Sequence, residues 1–493
     1  MSAAYYLAFD LGASSGRALL GTFDGQRLKL EELLRFANGP VSVQGRLYWN
    51  VLALFEHIKA GIGLCTQRGL RLDGIGIDTW GVDFGLLGRG GELLEAPRHY
   101  RDPRTRGMLE QAFERVPREE IYARTGIQFM ALNTVYQLLA VAQAPSRLLD
   151  VAERLLFMPD LLAYWLTGEM QSEHTIASTS QLLAAGTHAW DGELMQRLGL
   201  PTRIMPPLVA PGTPGRGLLP EVAAEVGQET VTLVRTASHD TAAAVAAVPA
   251  SGEDWAYVSS GTWSLAGVEL VSPCINAETL AAGFTNEVGV QRATRFLKNI
   301  CGLWLVQECQ RVWTGEQQDC SHEALAQAAE GAPPLRSLIN PDAAEFAEPG
   351  DMPARIRNAC RSSGQPVPET QGEVVRCVLE SLALRCHQTL RLAERLTGRA
   401  IGIVHIVGGG ARNALLSQLT ADATGKPVVA GPAEATAIGN IMVQALGQGR
   451  VGSLTEMRAV VAQSSTTRRY ESRDQNTWSE ARERFDTLWP TGG

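Results

Sequence analysis

The stretch that decides the fold is Tyr5-Tyr-Leu-Ala-Phe-Asp-Leu-Gly-Ala-Ser-Ser-Gly-Arg17. It begins with an apolar run of strand length, Tyr5 to Phe9, and the chain returns in a second apolar run, Ala18 to Leu20, so the pattern predicts a β-hairpin. The turn between them, residues 12–16, contains only Gly, Ala and Ser. Small residues let backbone N–H groups approach an anion closely, and Arg17 adds positive charge. The hairpin tip is therefore suited to phosphate.

Asp10 lies where the first strand ends. A carboxylate in this place can hold a divalent cation that bridges phosphates, usually through water, and the cation that we expect is Mg²⁺. A motif this short also has a simpler explanation, in which Gly and Ser only form the turn. The second half of the chain favours the phosphate interpretation.

The second half repeats the opening design about 250 residues later. Trp255 to Val258 predicts a strand, Ser259 to Thr262 a tip, and Trp263 to Glu269 a returning strand. Two such hairpins in a chain of two-domain length indicate a duplication. We therefore expect two domains, residues 1–246 and residues 247–493, that face each other across a nucleotide.

A third glycine-rich segment follows a predicted strand, Ile403 to Val407. Gly408-Gly-Gly-Ala-Arg-Asn413 comes next, and Leu415 to Ala423 has helical spacing. A strand, a triple glycine and a helix start together predict a site where phosphate or adenosine approaches the backbone. The residues match neither the dinucleotide fingerprint GxGxxG nor the GK[ST] P-loop, which argues against both of those nucleotide-binding folds.

The candidate catalytic base is Asp240. Val231 to Thr236 predicts a strand, and Ser238 or His239 then opens an alanine-rich helix that places Asp240 in its first turn. Free N–H groups and the helix dipole favour the ionised carboxylate there, which keeps it available as a base. The alternative is that Asp240 only caps the helix.

A further polar strand end is predicted at Gly74-Ile-Gly-Ile-Asp-Thr-Trp-Gly-Val-Asp83. Polar groups at such a place suit a ligand, although acids in a turn also cap backbone N–H groups. Phe296 to Gln307 predicts a strand end followed by a helix that carries Asn299 and Gln307. A mixed wall of polar groups beside an indole face, which suits a sugar, is expected from Asp78, Trp80, Gly81, Asp83, His239 and Asn299.

Composition excludes several classes of protein. The 493 residues carry a net charge of −8 and no long basic run, which argues against nucleic acid or an anionic membrane as the partner. No apolar stretch reaches the roughly 18 residues that span a bilayer, and Met1 to Tyr6 has no basic n-region before its apolar run. We expect a cytoplasmic protein, a monomer or a small homo-oligomer. The eight cysteines are expected to be mostly buried free thiols, and Cys360 and Cys377 are the pair considered for a bridge.

These motifs resemble the FGGY family of carbohydrate kinases, in the actin, hexokinase and heat-shock ATPase superfamily, over nearly the whole chain. The likeness rests on five segments in the family's order: two that resemble its phosphate motifs, one its adenosine motif, one its sugar-contacting strand end and one its Asp-x-Arg-Thr loop. In this sequence they are FDLGASSGR at 9–17, SSGTWS at 259–264, IVGGGARN at 406–413, GIDTWG at 76–81 and RDPRT at 101–105.

The resemblance implies an α/β fold with two actin-like, ribonuclease H-like ATPase domains facing a central cleft. It also implies phosphoryl transfer from ATP to a small-molecule sugar, with Mg²⁺ near Asp10 and Asp240 as the base. The residues implied for ATP are Ala13, Ser14, Ser15, Gly16, Arg17, Thr262, Gln307 and Gly409. Those implied for the sugar are Gly81, His239, Asp240, Thr241 and Asn299.

Three alternatives remain open at this point. The acceptor is a ketose or a polyol that these residues alone do not single out. An actin-like or chaperone ATPase would hydrolyse ATP slowly without any sugar. A sugar-binding regulator that has lost its kinase activity is disfavoured because Asp10 and Asp240 are both present.

Overall fold

The computed structural model describes residues 3–314 and 320–490, over which strands alternate with helices. In that part of the chain, none of the helices combines the length and the apolar character that crossing a bilayer requires.

The strands, numbered in chain order, are β1 Ala4–Leu11, β2 Ser15–Phe23, β3 Leu28–Ala37, β4 Pro40–Val43, β5 Arg46–Trp49, β6 Gly74–Thr79, β7 Phe84–Leu87, β8 Arg154–Phe157, β9 Ser172–Glu173, β10 Leu183–Ala184, β11 Ala189–Trp190, β12 Leu208–Val209, β13 Thr213–Gly217, β14 Thr232–Arg235, β15 Trp255–Ser260, β16 Trp263–Leu270, β17 Thr285–Val288, β18 Thr294–Cys301, β19 Ile403–Val407, β20 Val428–Ala430 and β21 Arg468–Tyr470.

The α-helices are α1 Val51–Gln67, α2 Met108–Arg115, α3 Arg118–Thr125, α4 Thr134–Gln143, α5 Leu148–Val151, α6 Met158–Thr167, α7 His174–Ser178, α8 Gly192–Arg197, α9 Pro220–Val226, α10 Asp240–Ala246, α11 Ala277–Ala282, α12 Trp304–Thr314, α13 His322–Glu330, α14 Met352–Ser362, α15 Gln371–Thr397, α16 Ala414–Thr424, α17 Ala435–Gly447, α18 Leu454–Ser464 and α19 Gln475–Leu488. Short 3-10 helices cover Pro103–Thr105, Thr202–Ile204, Val290–Arg292, Ala344–Phe346 and Gly409–Arg412.

The chain forms two compact units. Unit 1 consists of Met1–Ser251, Glu269–Phe296 and Ala435–Ser464, and unit 2 consists of Gly252–Val268, Leu297–Glu434 and Ser465–Gly493. Two segments from the second half of the sequence therefore belong to unit 1. The division into residues 1–246 and 247–493 stays a prediction.

Unit 1 is built on a sheet with the strand order β13-β14-β6-β1-β2-β3. β1 pairs antiparallel with β2 and parallel with β6, and almost all of its residues are buried. The apolar run that predicted this strand is thus a central strand with both faces covered. α17 packs against α10, and a Cβ on Gly439 of α17 would lie 1.8 Å from the carbonyl oxygen of Ala243 in α10, so only glycine allows this approach.

Unit 2 repeats part of this arrangement. β15 pairs antiparallel with β16 and parallel with β19, β19 is parallel to β20, and β20 is antiparallel to β21. The helix α15 starts with a capping box formed by Thr370 and Glu373, which satisfies N–H groups at its amino end. Its buried face joins one apolar core with residues of α16 and α19. Both predicted hairpins are therefore confirmed.

The structure corrects two local predictions. Ser15 and Gly16 lie in β2, where Gly16 pairs with Leu11, so the first turn is shorter than residues 12–16. Asn299 lies in β18 and not on a helix. The strand runs to Cys301 and α12 begins at Trp304, whose backbone N–H donates to the carbonyl of Thr262 at 3.2 Å.

All eight cysteines are free thiols, and all but the half-buried Cys274 are buried. The Sγ atoms of Cys360 and Cys377 lie 4.0 Å apart, well beyond the roughly 2.05 Å of a disulfide bond. The predominance of buried free thiols predicted from the sequence is confirmed.

Candidate active site

Asp240 is the first residue of α10, directly after the N-cap His239. Its Oδ1 accepts hydrogen bonds from the backbone N of Thr241 at 2.5 Å and from the Thr241 hydroxyl at 3.1 Å. The Nε2 of His239 lies 3.4 Å from the same oxygen. No donor in the described part of the chain contacts Oδ2, and the side chain is 31% exposed. One oxygen is therefore fixed and the other is available as a base.

The backbone before Asp240 is held from two sides. The Glu173 carboxylate accepts the N–H of Ser238 at 3.0 Å, and the Thr175 hydroxyl accepts the N–H of His239 at 3.2 Å. On the other side, the N–H of Thr79 donates to the carbonyl of Ser238 at 2.9 Å. Because Thr79 ends β6, the sheet itself sets the position of the candidate base.

Two further carboxylates lie side by side in the sheet, since Asp10 of β1 is in register with Asp78 of β6. Asp10 forms an ion pair with Arg17, and Asp78 accepts from the side chain of Asn440 at 2.6 Å. Burial, together with the negative charges of Asp10 and Asp240, raises the pKa of Asp78 well above its usual range. Among the described residues, no donor contacts the buried Oδ1 of Asp78. Neighbouring acids with an unsatisfied oxygen suit a divalent cation, so the residues present fit a metal at Asp10.

The tip of the β1–β2 hairpin is braced by Asn38. Its backbone N–H donates to the carbonyl of Ser14 at 3.1 Å, and its side chain donates to the carbonyl of Gly12 at 2.8 Å. The two carbonyl oxygens that would repel a phosphate are thereby occupied. Ser14 is exposed and Ala13 and Ser15 are half-buried, so these three residues predicted for ATP lie at an accessible tip, whereas Gly16 is buried.

Gly16 has a packing role that the sequence did not reveal. A Cβ there would lie 2.2 Å from Cε2 of Phe36, and the Phe36 ring stacks on His57 with ring centroids 3.9 Å apart. We expect Gly16→Ala to lower the free energy of unfolding by about 1–3 kcal/mol, as measured by urea denaturation. Gly63→Ala in α1 is the control, because its Cβ would meet nothing within 4 Å outside its own stretch of helix. We expect this variant to have a free energy of unfolding about 0.5–1 kcal/mol higher than the wild type. Equal stability of the two variants would contradict the clash.

The residues predicted for the nucleotide in the second half lie together in unit 2. Thr262, at the β15–β16 tip, donates its hydroxyl to Oε1 of Gln307 in α12 at 3.1 Å. A Cβ on Gly410 would lie 2.1 Å from Oγ of Ser260, so the triple-glycine loop packs closely on the end of β15. By contrast, nothing lies within 4 Å of a Cβ on Gly409. Gly409 thus leaves open space beside the tip.

The residues predicted for the sugar that belong to unit 1 lie near one another, at the start of α10 and just after the end of β6. His239 and Thr241 flank Asp240, and Gly81 follows the end of β6, where a Cβ would lie 3.0 Å from Cγ2 of Thr179. Asn299 is half-buried in the part of β18 that belongs to unit 2.

Two members of the predicted sugar wall have a different role. Asp83 is buried, and its Oδ2 accepts the indole N–H groups of Trp49 at 2.6 Å and Trp80 at 3.1 Å. The Gln137 amide donates to the other oxygen at 2.9 Å. Burial raises the pKa of Asp83 to about 6, although these donors lower it. Trp80 packs against Trp49 with ring centroids 3.8 Å apart and ring planes tilted by 30°, and it is only 6% exposed. Both side chains, Asp83 and Trp80, therefore support the site from the core.

Sequence reasoning missed the residues that position the others: Asn38, Glu173, Thr175, Glu287, Arg295 and Asn440. The charges of Glu287 and Arg295 were the one available signal, and that signal was weak because both strands, TNEV and TRFLKNIC, contain other polar residues. Their partners are distant in the sequence, so that signal did not identify what they contact.

The fold and the sequence were compared with known proteins. The crystal structure of ligand-bound xylulose kinase from Lactobacillus acidophilus matches with a TM-score of 0.82 and 16% identity, covering 98% of this chain and 97% of that one. This likeness confirms the predicted α/β fold with two actin-like domains. A rhamnulokinase of Bacteroides thetaiotaomicron is 48% identical over 476 residues, 97% of this chain and 97% of that protein. A rhamnulokinase of Pectobacterium atrosepticum is 42% identical over 485 residues, 98% and 96% of the two chains.

The family comparison covers both halves of the chain. The model of the FGGY family of carbohydrate kinases, N-terminal domain, matches residues 5–247, and that of its C-terminal domain matches residues 256–447. The resemblance that the five motifs indicated is therefore confirmed. On this evidence the chain belongs to the FGGY family of carbohydrate kinases.

Proposed function

We propose that this protein transfers the γ-phosphoryl group of ATP to the C1 hydroxyl of L-rhamnulose, giving L-rhamnulose 1-phosphate and ADP. Two observations on the sequence support this substrate. The motif forms DLGASSGR, GIDTWGVDF, SHDTA and HIVGGG resemble those of rhamnulokinases more than the Gly-Asp-Gln or Gly-Asp-Asn forms typical of glycerol and xylulose kinases. The relatives with 48% and 42% identity over nearly the full chain bear the name rhamnulokinase.

The observation that carries the proposed chemistry is the asymmetric environment of Asp240. Its Oδ1 is engaged by Thr241, so Oδ2 accepts the proton of the C1 hydroxyl. The sugar oxygen then attacks the γ-phosphorus in line, and the bond between that phosphorus and the bridging oxygen of ADP breaks. Because phosphoryl transfer depends mainly on positioning and on neutralisation of charge, a pre-oriented carboxylate is the main contribution of α10.

We propose the remaining roles from the motifs and from the contacts within each unit. We assign ATP to the β1–β2 tip, Ala13 to Arg17, and to Thr262, Gln307 and Gly409. A divalent cation, which kinases of this family use with ATP and which we propose is Mg²⁺, would be held by Asp10 and would neutralise phosphate charge. We assign the sugar hydroxyls to Gly81, His239, Asp240, Thr241 and Asn299.

The test is a coupled assay of ADP release with L-rhamnulose, L-fructose, L-xylulose, L-fuculose, D-xylulose and glycerol. We expect the highest kcat/KM with L-rhamnulose and measurable activity with L-fructose and L-xylulose, because one methyl group in an apolar pocket contributes only about 1–3 kcal/mol. L-Fuculose, D-xylulose or glycerol outrunning L-rhamnulose tenfold would refute the named substrate. ADP release that is independent of every sugar would instead indicate an actin-like ATPase.

A further inference from the structure

The side chain of His239 lies in a buried charged cluster that the proposed reaction does not explain. Nη2 of Arg295 is 3.1 Å from Nδ1 of His239, and Oε2 of Glu287 is 3.3 Å from the same nitrogen. Arg295 and Glu287 contact each other at 2.8 Å. Arg295 is wholly buried, and His239 and Glu287 are 7% and 6% exposed. Such charges are costly to bury unless each has a defined partner.

The donors and acceptors of this cluster determine where the imidazole proton lies. A guanidinium group has only N–H donors and keeps its proton inside proteins. When Arg295 donates to Nδ1 of His239, Nδ1 must be the unprotonated acceptor, and the ring proton is on Nε2. That Nε2 faces Oδ1 of Asp240 at 3.4 Å. The ring can then donate to the candidate base.

Glu287 defines the competing state. Burial would raise its pKa, but the charge of the adjacent Arg295 outweighs burial and lowers it, so Glu287 is an anion. Without Arg295, this carboxylate would attract a proton onto Nδ1 of His239. The guanidinium is itself anchored, because its Nε donates to the carbonyl of Val288 at 3.1 Å.

We propose that Arg295 is a positioning residue that holds His239 in the tautomer protonated on Nε2, so that His239 donates to Oδ1 of Asp240 and leaves Oδ2 for the substrate hydroxyl. Its catalytic consequence rests on the proposed function. The tautomer itself does not, since it follows from the cluster alone.

The direct test is a long-range ¹H–¹⁵N correlation spectrum of the full-length protein labelled with ¹⁵N-histidine. The chain has eight histidines, and the signals of His239 are identified by their loss in His239→Gln. In the wild-type protein we expect Nδ1 to resonate as an unprotonated nitrogen and Nε2 as a protonated one. In Arg295→Met we expect Nδ1 to be protonated, because only Glu287 then faces it. A wild-type spectrum with Nδ1 protonated would overturn the proposal, whether or not the protein phosphorylates L-rhamnulose.

The double variant Glu287→Gln/Arg295→Met separates a positioning role from a structural one. It leaves no unpaired buried charge, and the amide introduced at position 287 can donate to Nδ1, so the Nε2-protonated tautomer should return. We expect kcat to fall about 10- to 100-fold in Arg295→Met with KM for ATP unchanged within about twofold, and to recover several-fold in the double variant. No recovery in a folded double variant that shows the restored tautomer would contradict the effect on Asp240.

Arg458→Met is the matched control for the loss of a partly buried ion pair in unit 1. Nη2 of Arg458 lies 2.7 Å from Oε2 of Glu269, and neither residue contacts His239 in the described structure. We expect a lower unfolding temperature, with the His239 spectrum and kcat unchanged. If Arg458→Met altered the tautomer of His239 as Arg295→Met is expected to, the spectral change would reflect general destabilisation, and this result would contradict the proposal. Should Arg295→Met not fold, the wild-type and double-variant spectra still decide the tautomer.

Discussion

Replacing Asp240 with asparagine is expected to lower kcat for L-rhamnulose about 10²- to 10⁴-fold. The asparagine carbonyl oxygen can still accept from the backbone N and the hydroxyl of Thr241, as Oδ1 does at 2.5 and 3.1 Å, so the start of α10 should be preserved. What is lost is the second carboxylate oxygen, which is the proposed proton acceptor. Steady-state kinetics with calorimetry of ATP binding would show a large fall in kcat with nucleotide affinity retained.

A matched control is available at another helix start. Asp351 caps α14, and its Oδ1 accepts from the N–H of Ala354 at 3.1 Å. Asp351→Asn should alter the free energy of unfolding by only a few tenths of a kcal/mol, up to about 1 kcal/mol, and leave kcat unchanged. If Asp240→Asn behaved in the same way, Asp240 would be a helix cap and another group would have to be the base.

Gly439→Ala is expected to be the most destabilising single methyl addition, with a loss at or above the usual overpacking range of about 1–3 kcal/mol. The new Cβ would lie 1.8 Å from the carbonyl oxygen and 2.6 Å from the carbonyl carbon of Ala243. These are backbone atoms, so no side-chain rotation relieves the clash. α17 and α10 must move apart, and α10 begins with Asp240.

Denaturant unfolding and kcat should therefore change together in Gly439→Ala. Gly63→Ala serves again as the control, since it places a methyl group in open space on α1 and should leave kcat unaltered. A Gly439→Ala protein with wild-type stability would mean that the two helices are not packed as closely as the structure shows.

Much of the site could be predicted from the sequence because its parts are local. The strand that ends near Asp10 and the helix that begins at Asp240 are each formed by consecutive residues, so the local sequence pattern predicts them. Backbone N–H groups and carboxylates at such ends are exposed to ligands. The glycines were harder to interpret. Gly16 and Gly409 look alike in sequence, yet a Cβ at Gly16 would strike Phe36, whereas one at Gly409 would meet nothing within 4 Å.

The residues that orient the site could not be predicted, because they act across long separations in the sequence. Asn440 donates to Asp78 from 362 residues away, and Arg295 reaches His239 across 56 residues. Neither pair of residues follows a regular sequence spacing that could be recognised in a single sequence. Asp83 and Trp80 show a different difficulty. Their position after a strand end suggested contact with a ligand, but both side chains are buried and belong to the core.

Ala435–Ser464 belongs to unit 1 although it lies near the end of the sequence, and this affects how unit 1 folds during synthesis. Ribosomes add ~5–20 residues per second, so β6 emerges on the order of tens of seconds before α17. A Cβ at Gly76 of β6 would lie 2.2 Å from Oδ1 of Asn440, which shows how tightly α17 covers this strand. Until α17 has been synthesised, that face of the sheet is uncovered, and we expect it to bind chaperones. A nascent chain released before residue 435 would lack the helix that covers this face, and we expect it to be degraded.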